Sequence, residues 1–170
     1  MPAARQTPLG ALARGLVAGA IGTAAMTVHQ EIVSKLRGAD SDGQTADSQA
    51  PWASAPAPAR VARRILEGVF RTEVDPARIG LLTNLMHWLY GTGWGGVYGL
   101  VESTIEARPL RAGPLFGTAV WAGSYLQLVP MGIYEPPWRY PPATLANDLG
   151  YHLTYGVGVA LGHRALERSL

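Results

Sequence analysis

Four stretches of this chain are apolar and nearly free of charge, and a polar segment separates the first from the other three. The cleanest is residues 79–101, which run from Arg78 to Glu102 without a charged side chain. At 1.5 Å per residue it makes a helix about 34 Å long, enough to cross a hydrocarbon core of about 30 Å. Residues 112–134 are again uncharged, with Gly113 and Gly117 one turn apart and Pro130 near the far end. Residues 9–33 hold only Arg14 and Glu31, and residues 144–163 only Asp148. The pattern predicts an all-α fold, a four-helix transmembrane bundle of one domain. Segment 37–78 lies outside the hydrocarbon. Within it, residues 38–59 read as irregular chain, with Asp40, Asp42, Asp47, Pro51, Pro56 and Pro58. Over 60–71, Val61, Ile65, Val69 and Phe70 share one helical face while Arg63, Arg64, Glu67 and Arg71 lie largely elsewhere. That is a short amphipathic helix, either lying in the membrane interface or packed on the bundle. Pro136, Pro137, Pro141 and Pro142 forbid a helix in the turn after the third span, where Tyr134, Trp138 and Tyr140 suit a membrane–water boundary.

Small residues recur at helical spacing inside the spans. Ala11, Gly15, Gly19 and Thr23 repeat at every fourth position, as do Gly91, Gly95 and Gly99, and also Gly158 and Gly162. Such ladders let membrane helices approach closely. A cleaved leader peptide is the rival reading of the first span. The ladder and the continuing pattern through Met26, Val28, Ile32 and Val33 favour a retained helix. There is also an internal echo. His87, Tyr90, Gly91 and Gly93 spell His-x-x-Tyr-Gly-x-Gly, and so do His152, Tyr155, Gly156 and Gly158. A weaker echo relates Gly19, Gly22, Thr23 and Ala24 to Gly113, Gly117, Thr118 and Ala119, with one residue added. The four spans therefore read as two related helical hairpins, parallel copies about an axis along the membrane normal.

Depth groups the polar side chains. His87 and His152 each lie about eight residues inside their span, roughly 12 Å from the same face. Asn84 and Asp148 lie one turn away, and the first and third spans bring Glu31 and Gln127 to that side. These six residues form the candidate proton or ligand cluster, because polar groups facing lipid are costly and should turn inward. An interhelical hydrogen bond is the plain explanation for each histidine. Protonation coupling is the functional one. His29 is expected at the interface and His163 at a helix end.

Composition changes the picture in three ways. Charged residues are 15% of the chain, below the roughly 25% usual in soluble domains. Mean hydropathy is nevertheless only +0.08, because the polar segment offsets the apolar spans. There is no Cys, which excludes disulfides, thiolate metal sites and a Cys nucleophile. A net charge of +2 gives no basis for nucleic-acid binding. No His-x-x-x-His or similar spacing indicates a metal, no cofactor motif is present, and the glycines of residues 91–99 lack the Lys-Ser or Lys-Thr of a phosphate loop. No Ser sits in an elbow motif, so nucleophilic catalysis is unsupported. Setting aside the long first loop, the side holding both termini is the more basic, through Arg5, Arg14, Arg108, Arg111, Arg164 and Arg168. That places both termini in the cytoplasm.

The run from Pro130 through Met131, Gly132, Ile133, Tyr134, Glu135, Pro136 and Pro137, then Trp138, is followed by a helix with Gly150, Tyr151 and His152 and a basic end at His163 and Arg164. In this the chain resembles the YagU-like family of uncharacterised bacterial inner-membrane proteins. The likeness covers the last three spans, and the first more loosely. It implies a multi-pass protein of the inner membrane with cytoplasmic termini and suggests a link to acid resistance, with no established activity. The partners expected are the lipid bilayer and a homo-oligomer. Three functions follow: an acid-stress accessory protein with a pH-sensitive intramembrane His cluster; an oligomeric small transporter or channel; and a membrane enzyme or metal-binding protein using the His and Glu side chains.

Overall fold

The computed structural model describes residues 7–38, 51–105 and 109–169. The acidic positions Asp40, Asp42 and Asp47, and the arginines Arg5 and Arg108 of the charge count, fall outside them. The described residues form five α-helices and no strand. They are α1 (Pro8–Leu36), α2 (Ala57–Gly68), α3 (Ile79–Ile105), α4 (Pro109–Leu128) and α5 (Pro142–Ser169), with single 3₁₀ turns at Pro76–Arg78 and Pro137–Arg139.

Local chemistry sets the ends. Thr7 caps α1 by accepting from the Gly10 N–H at 3.2 Å, with Pro8 at the first helical position, where its missing N–H costs nothing. At the other end Gly38 takes φ +78°, open to glycine. Asp75 accepts from the Ala77 N–H at 2.8 Å and starts the turn that feeds α3. α4 is shorter than the pattern of residues 112–134 predicts. Pro130 disfavours helix at Val129, and α4 stops at Leu128, whose carbonyl takes the Ile133 N–H at 3.0 Å across a turn with Gly132 at φ +62°. The helices on the opposite side are longer than predicted, so the polar turn expected after residue 101 shrinks to a few residues. Two of the four prolines of 136–142 sit at the first position of a helix, where proline is tolerated. Pro137 opens a 3₁₀ turn in a stretch expected to be free of helix, and Pro142 opens α5.

The long helices form an antiparallel bundle in which α1 packs against both α3 and α5, and α4 packs against α5. Three of its seams are backbone to backbone. Between α1 and α3, a Cβ added at Gly15 would meet Gly95, Gly96 and Gly99. One at Gly19 would meet the Gly91 and Thr92 carbonyls at 2.8 Å. Between α4 and α5, a Cβ at Gly113 would meet the Gly156 carbonyl at 3.0 Å, and one at Gly117 would meet the His152 carbonyl. Between α1 and α5, a Cβ at Gly158 would meet the Gly22 Cα at 2.9 Å, while one at Gly162 would meet the Ile21 side chain at 3.0 Å. The fourth seam, α3 to α4, is filled by rings. Trp94 and Tyr98 meet Phe116 edge-on at centroid separations of 6.4 and 5.0 Å. The core is thus small residues and aromatics around Ala18, Met26, Val120, Tyr155, Val159 and Ala160. Many large aliphatic side chains point out: Val17, Ile21, Val28, Ile32, Leu85, Leu89, Leu115 and Leu126 are all exposed. By length and composition α1 is the one helix among the described residues apolar enough to cross a membrane; the Gly, Thr, His and Tyr content of the others lowers their hydropathy.

α2 starts and ends three residues earlier than the 60–71 pattern predicts. It buries Ala59 and Ala62 with Ala55, Val74 and Leu82, and packs there with Leu66, Ile79 and Met86. Arg60 ties it to the turn after α4, donating to the Ile133 and Gly132 carbonyls at 2.9 and 3.0 Å.

Candidate functional site

At the level of Thr27 to His29, hydrogen-bonding contacts join α1 to the histidine-bearing turns of α3 and α5. Thr27 contacts His87 of α3, with Oγ1 to Nε2 at 3.4 Å. His29 reaches Thr154 of α5, with Nδ1 to Oγ1 at 2.7 Å, and its ring meets Tyr151 edge-on at 5.1 Å. His152 bonds through Nδ1 to the Asp148 carbonyl one turn back at 2.8 Å. The His87 and His152 rings lie within electrostatic range of each other.

Donor bookkeeping fixes the imidazole protons. The Thr27 hydroxyl donates to the Thr23 carbonyl at 2.9 Å, and the Thr154 hydroxyl to the Gly150 carbonyl at 3.1 Å. A hydroxyl has one hydrogen to give. Both therefore act as acceptors toward histidine, which assigns the hydrogen of His87 to Nε2 and that of His29 to Nδ1. A carbonyl only accepts, so His152 carries its hydrogen on Nδ1. His87 Nδ1, His29 Nε2 and His152 Nε2 are left with lone pairs, and each is a place for an added proton.

Asp148 anchors the α4 side. Its Oδ2 accepts from Trp121 Nε1 at 3.0 Å and from the Tyr125 hydroxyl at 3.2 Å, while Oδ1 lies 3.5 Å from His152 Nδ1. Tyr125 in turn packs against the tilted ring of Tyr134 and meets Tyr140 edge-on. The hydroxyl of Tyr134, in the turn beyond α4, is held well above the usual tyrosine range by burial first and then by the Asp148 charge. Across the interior the Tyr155 hydroxyl donates to the Gly91 carbonyl at 2.6 Å, linking the two His-x-x-Tyr-Gly segments.

The six candidates separate into two groups. His87, His152 and Asp148 share this interior. Asn84 and Glu31 are exposed on the outer faces of α3 and α1, and Gln127 is exposed beside Tyr90. Equal depth does not fix the face, and these three turn away. The group also includes Thr27, His29 and Thr154, which the depth argument passed over. Thr27 was within reach of it, being the next rung of the Ala11, Gly15, Gly19, Thr23 ladder. His163 is not a helix-end residue but fully buried (1% exposed). It packs edge-on to Tyr98 at 5.6 Å, with Nδ1 3.8 Å from Glu167 and Nε2 without a hydrogen-bond partner among the described residues. No group of three or more His, Asp or Glu among the described residues could hold a metal ion, and with Glu31 outside the cluster a His/Glu metal site has no ligand set. No protein-family model, curated protein or solved structure matches the chain.

Proposed function

We propose that this chain is a multi-pass membrane protein whose four long helices cross a bacterial inner membrane, both termini cytoplasmic, and that its histidine cluster makes the bundle responsive to acid. The observation that carries the reading is the inverted distribution of side-chain size. Glycine, alanine and threonine line the seams, while most of the exposed large side chains along the long helices are leucine, isoleucine and valine. Water-soluble bundles bury their large aliphatic residues, whereas membrane bundles put small residues between helices and large ones against lipid. Even α1, with a helix on either side, has only 39% of its most apolar window buried. The matched approaches of Gly19 to Gly91 and of Gly113 to Gly156 support a two-hairpin origin, since the four glycines hold equivalent places in the sequence echo. The run Pro130 to Trp138 supports kinship with the YagU-like proteins and an accessory role in acid stress.

The lone-pair nitrogen of His87, with His152 within electrostatic range, makes protonation the natural input. Charging His87 inside the bundle beside His152 is unfavourable, so the bundle loses stability as pH falls from 7 to 5. Unfolding in detergent micelles across that range is the test. The wild type should lose stability on acidification, and the triple change of His29, His87 and His152 to Gln should reduce that loss, the remainder belonging to the buried His163. A triple variant with the wild-type profile would remove the proposal.

A further inference from the structure

We infer that α2 and the turn that follows it form an interfacial element that rests on anionic phospholipid, with Ile65, Val69 and Phe70 in the headgroup–acyl boundary and Arg64 and Arg71 on lipid phosphates. The inference rests on the membrane reading above and adds a specific lipid contact to it.

Three independent observations lead there. The first is depth. α2 buries its alanine face on Ile79, Leu82 and Met86 of α3. Ile79 follows the last charged residue before the span, and Met86 is seven residues further on, about 10 Å along the axis. An interfacial amphipathic helix sits about 5–10 Å into the headgroup–acyl boundary, which is the same interval. The second is the uncovered face. With the alanines spent on α3, Ile65, Val69 and Phe70 remain exposed, Val69 by 71% and Phe70 by 65%. The third is charge. Arg60 is committed to the carbonyls of residues 132 and 133, and Arg63 is paired with Glu67 at 2.8 Å and lies over the Trp52 ring at 4.9 Å. Arg64 and Arg71 are exposed and carry no ion pair among the described residues. Two available cations flanking an uncovered apolar edge at interfacial depth match a phosphate over acyl chains.

The absence of native cysteine makes any introduced thiol unique. The full chain is reconstituted in nanodiscs with Phe70→Cys or, as the reference for the membrane reading itself, Leu126→Cys. Each carries a fluorophore quenched by brominated acyl chains. Both labels should be quenched. Brominated phosphatidylglycerol should quench residue 70 in preference to brominated phosphatidylcholine at equal mole fraction. Each of Arg64→Gln and Arg71→Gln should lower that preference, roughly fivefold per arginine. Both arginines are exposed, so these variants keep the fold. Quenching at 126 without quenching at 70 overturns the placement of α2 and leaves the spanning reading intact. Quenching at neither site overturns both. Quenching at 70 without phosphatidylglycerol preference, or with a preference unmoved by the arginine changes, overturns the headgroup contact.

Discussion

Replacing Gly95 with alanine adds one methyl group where α1 and α3 touch. A Cβ built at Gly95 falls onto the Gly19 Cα and lies 2.5 Å from both the Gly15 carbonyl oxygen and the Gly19 nitrogen. Ordinary contacts of a methyl carbon begin near 3.4 Å, so the two backbones must part by about 1 Å, and backbone cannot rotate away as a side chain would. Separation loosens the other approaches in that seam, at Gly15, Gly19, Gly91 and Gly99. Overpacking of this kind costs about 1–3 kcal/mol. Gly93, two residues earlier on the same helix, has nothing within 4 Å of its Cβ position. There alanine brings only its better helix propensity, about 0.5–1 kcal/mol in favour of the fold. The propensity gain is common to both variants, so they should differ in unfolding free energy by the packing cost of about 1–3 kcal/mol. Reversible unfolding in mixed detergent micelles measures the difference. Equal stabilities, or Gly93→Ala the less stable, would refute the backbone-contact account of the α1–α3 seam.

Other substitutions probe the polar interior. Tyr155→Phe removes the 2.6 Å hydrogen bond to the Gly91 carbonyl and should cost about 0.5–1.5 kcal/mol in the same assay. Asp148→Ala leaves the Trp121 N–H and the Tyr125 hydroxyl without their acceptor and should cost about 1–3 kcal/mol, whereas Asp148→Asn keeps an acceptor oxygen and should cost less. Arg60→Gln should free the turn at 132–133 from α2, seen as faster amide exchange at Ile133 and Tyr134 with little change in the α1–α3 seam.

The helical class was legible because long charge-free runs leave few alternatives. The residues spaced four apart, such as Gly15 with Gly19 and Gly91 with Gly95, share one helix face, so their spacing announces a seam without saying which helix meets it. Helix ends were less legible. Pro130 marked the end of α4, but an apolar pattern through Ile133 and Tyr134 masked it. Faces of polar residues were the hardest to read. Asn84 and His87 are three positions apart, about 60° around the helix, which is enough to put one outside and the other inside. Thr27 and Thr154 join the site through hydrogen bonds between helices, and no local pattern reports those. His163 looked terminal because Arg164 follows it, yet α5 continues to Ser169 and carries the imidazole into the bundle.

The central claim is that the exposed aliphatic surface faces lipid across four spans. It is tested most directly by labelling single cysteines with a membrane-impermeant maleimide in intact cells. Four positions suffice: Thr7, Leu115, Leu126 and Trp138, each exposed on the protein surface. The account predicts labelling at 138 in intact cells and labelling at 7 only after the membrane is opened. Positions 115 and 126 should stay unlabelled until the protein is denatured in detergent. Labelling of 115 and 126 in the undenatured protein, as readily as at 138 or 7, would contradict it.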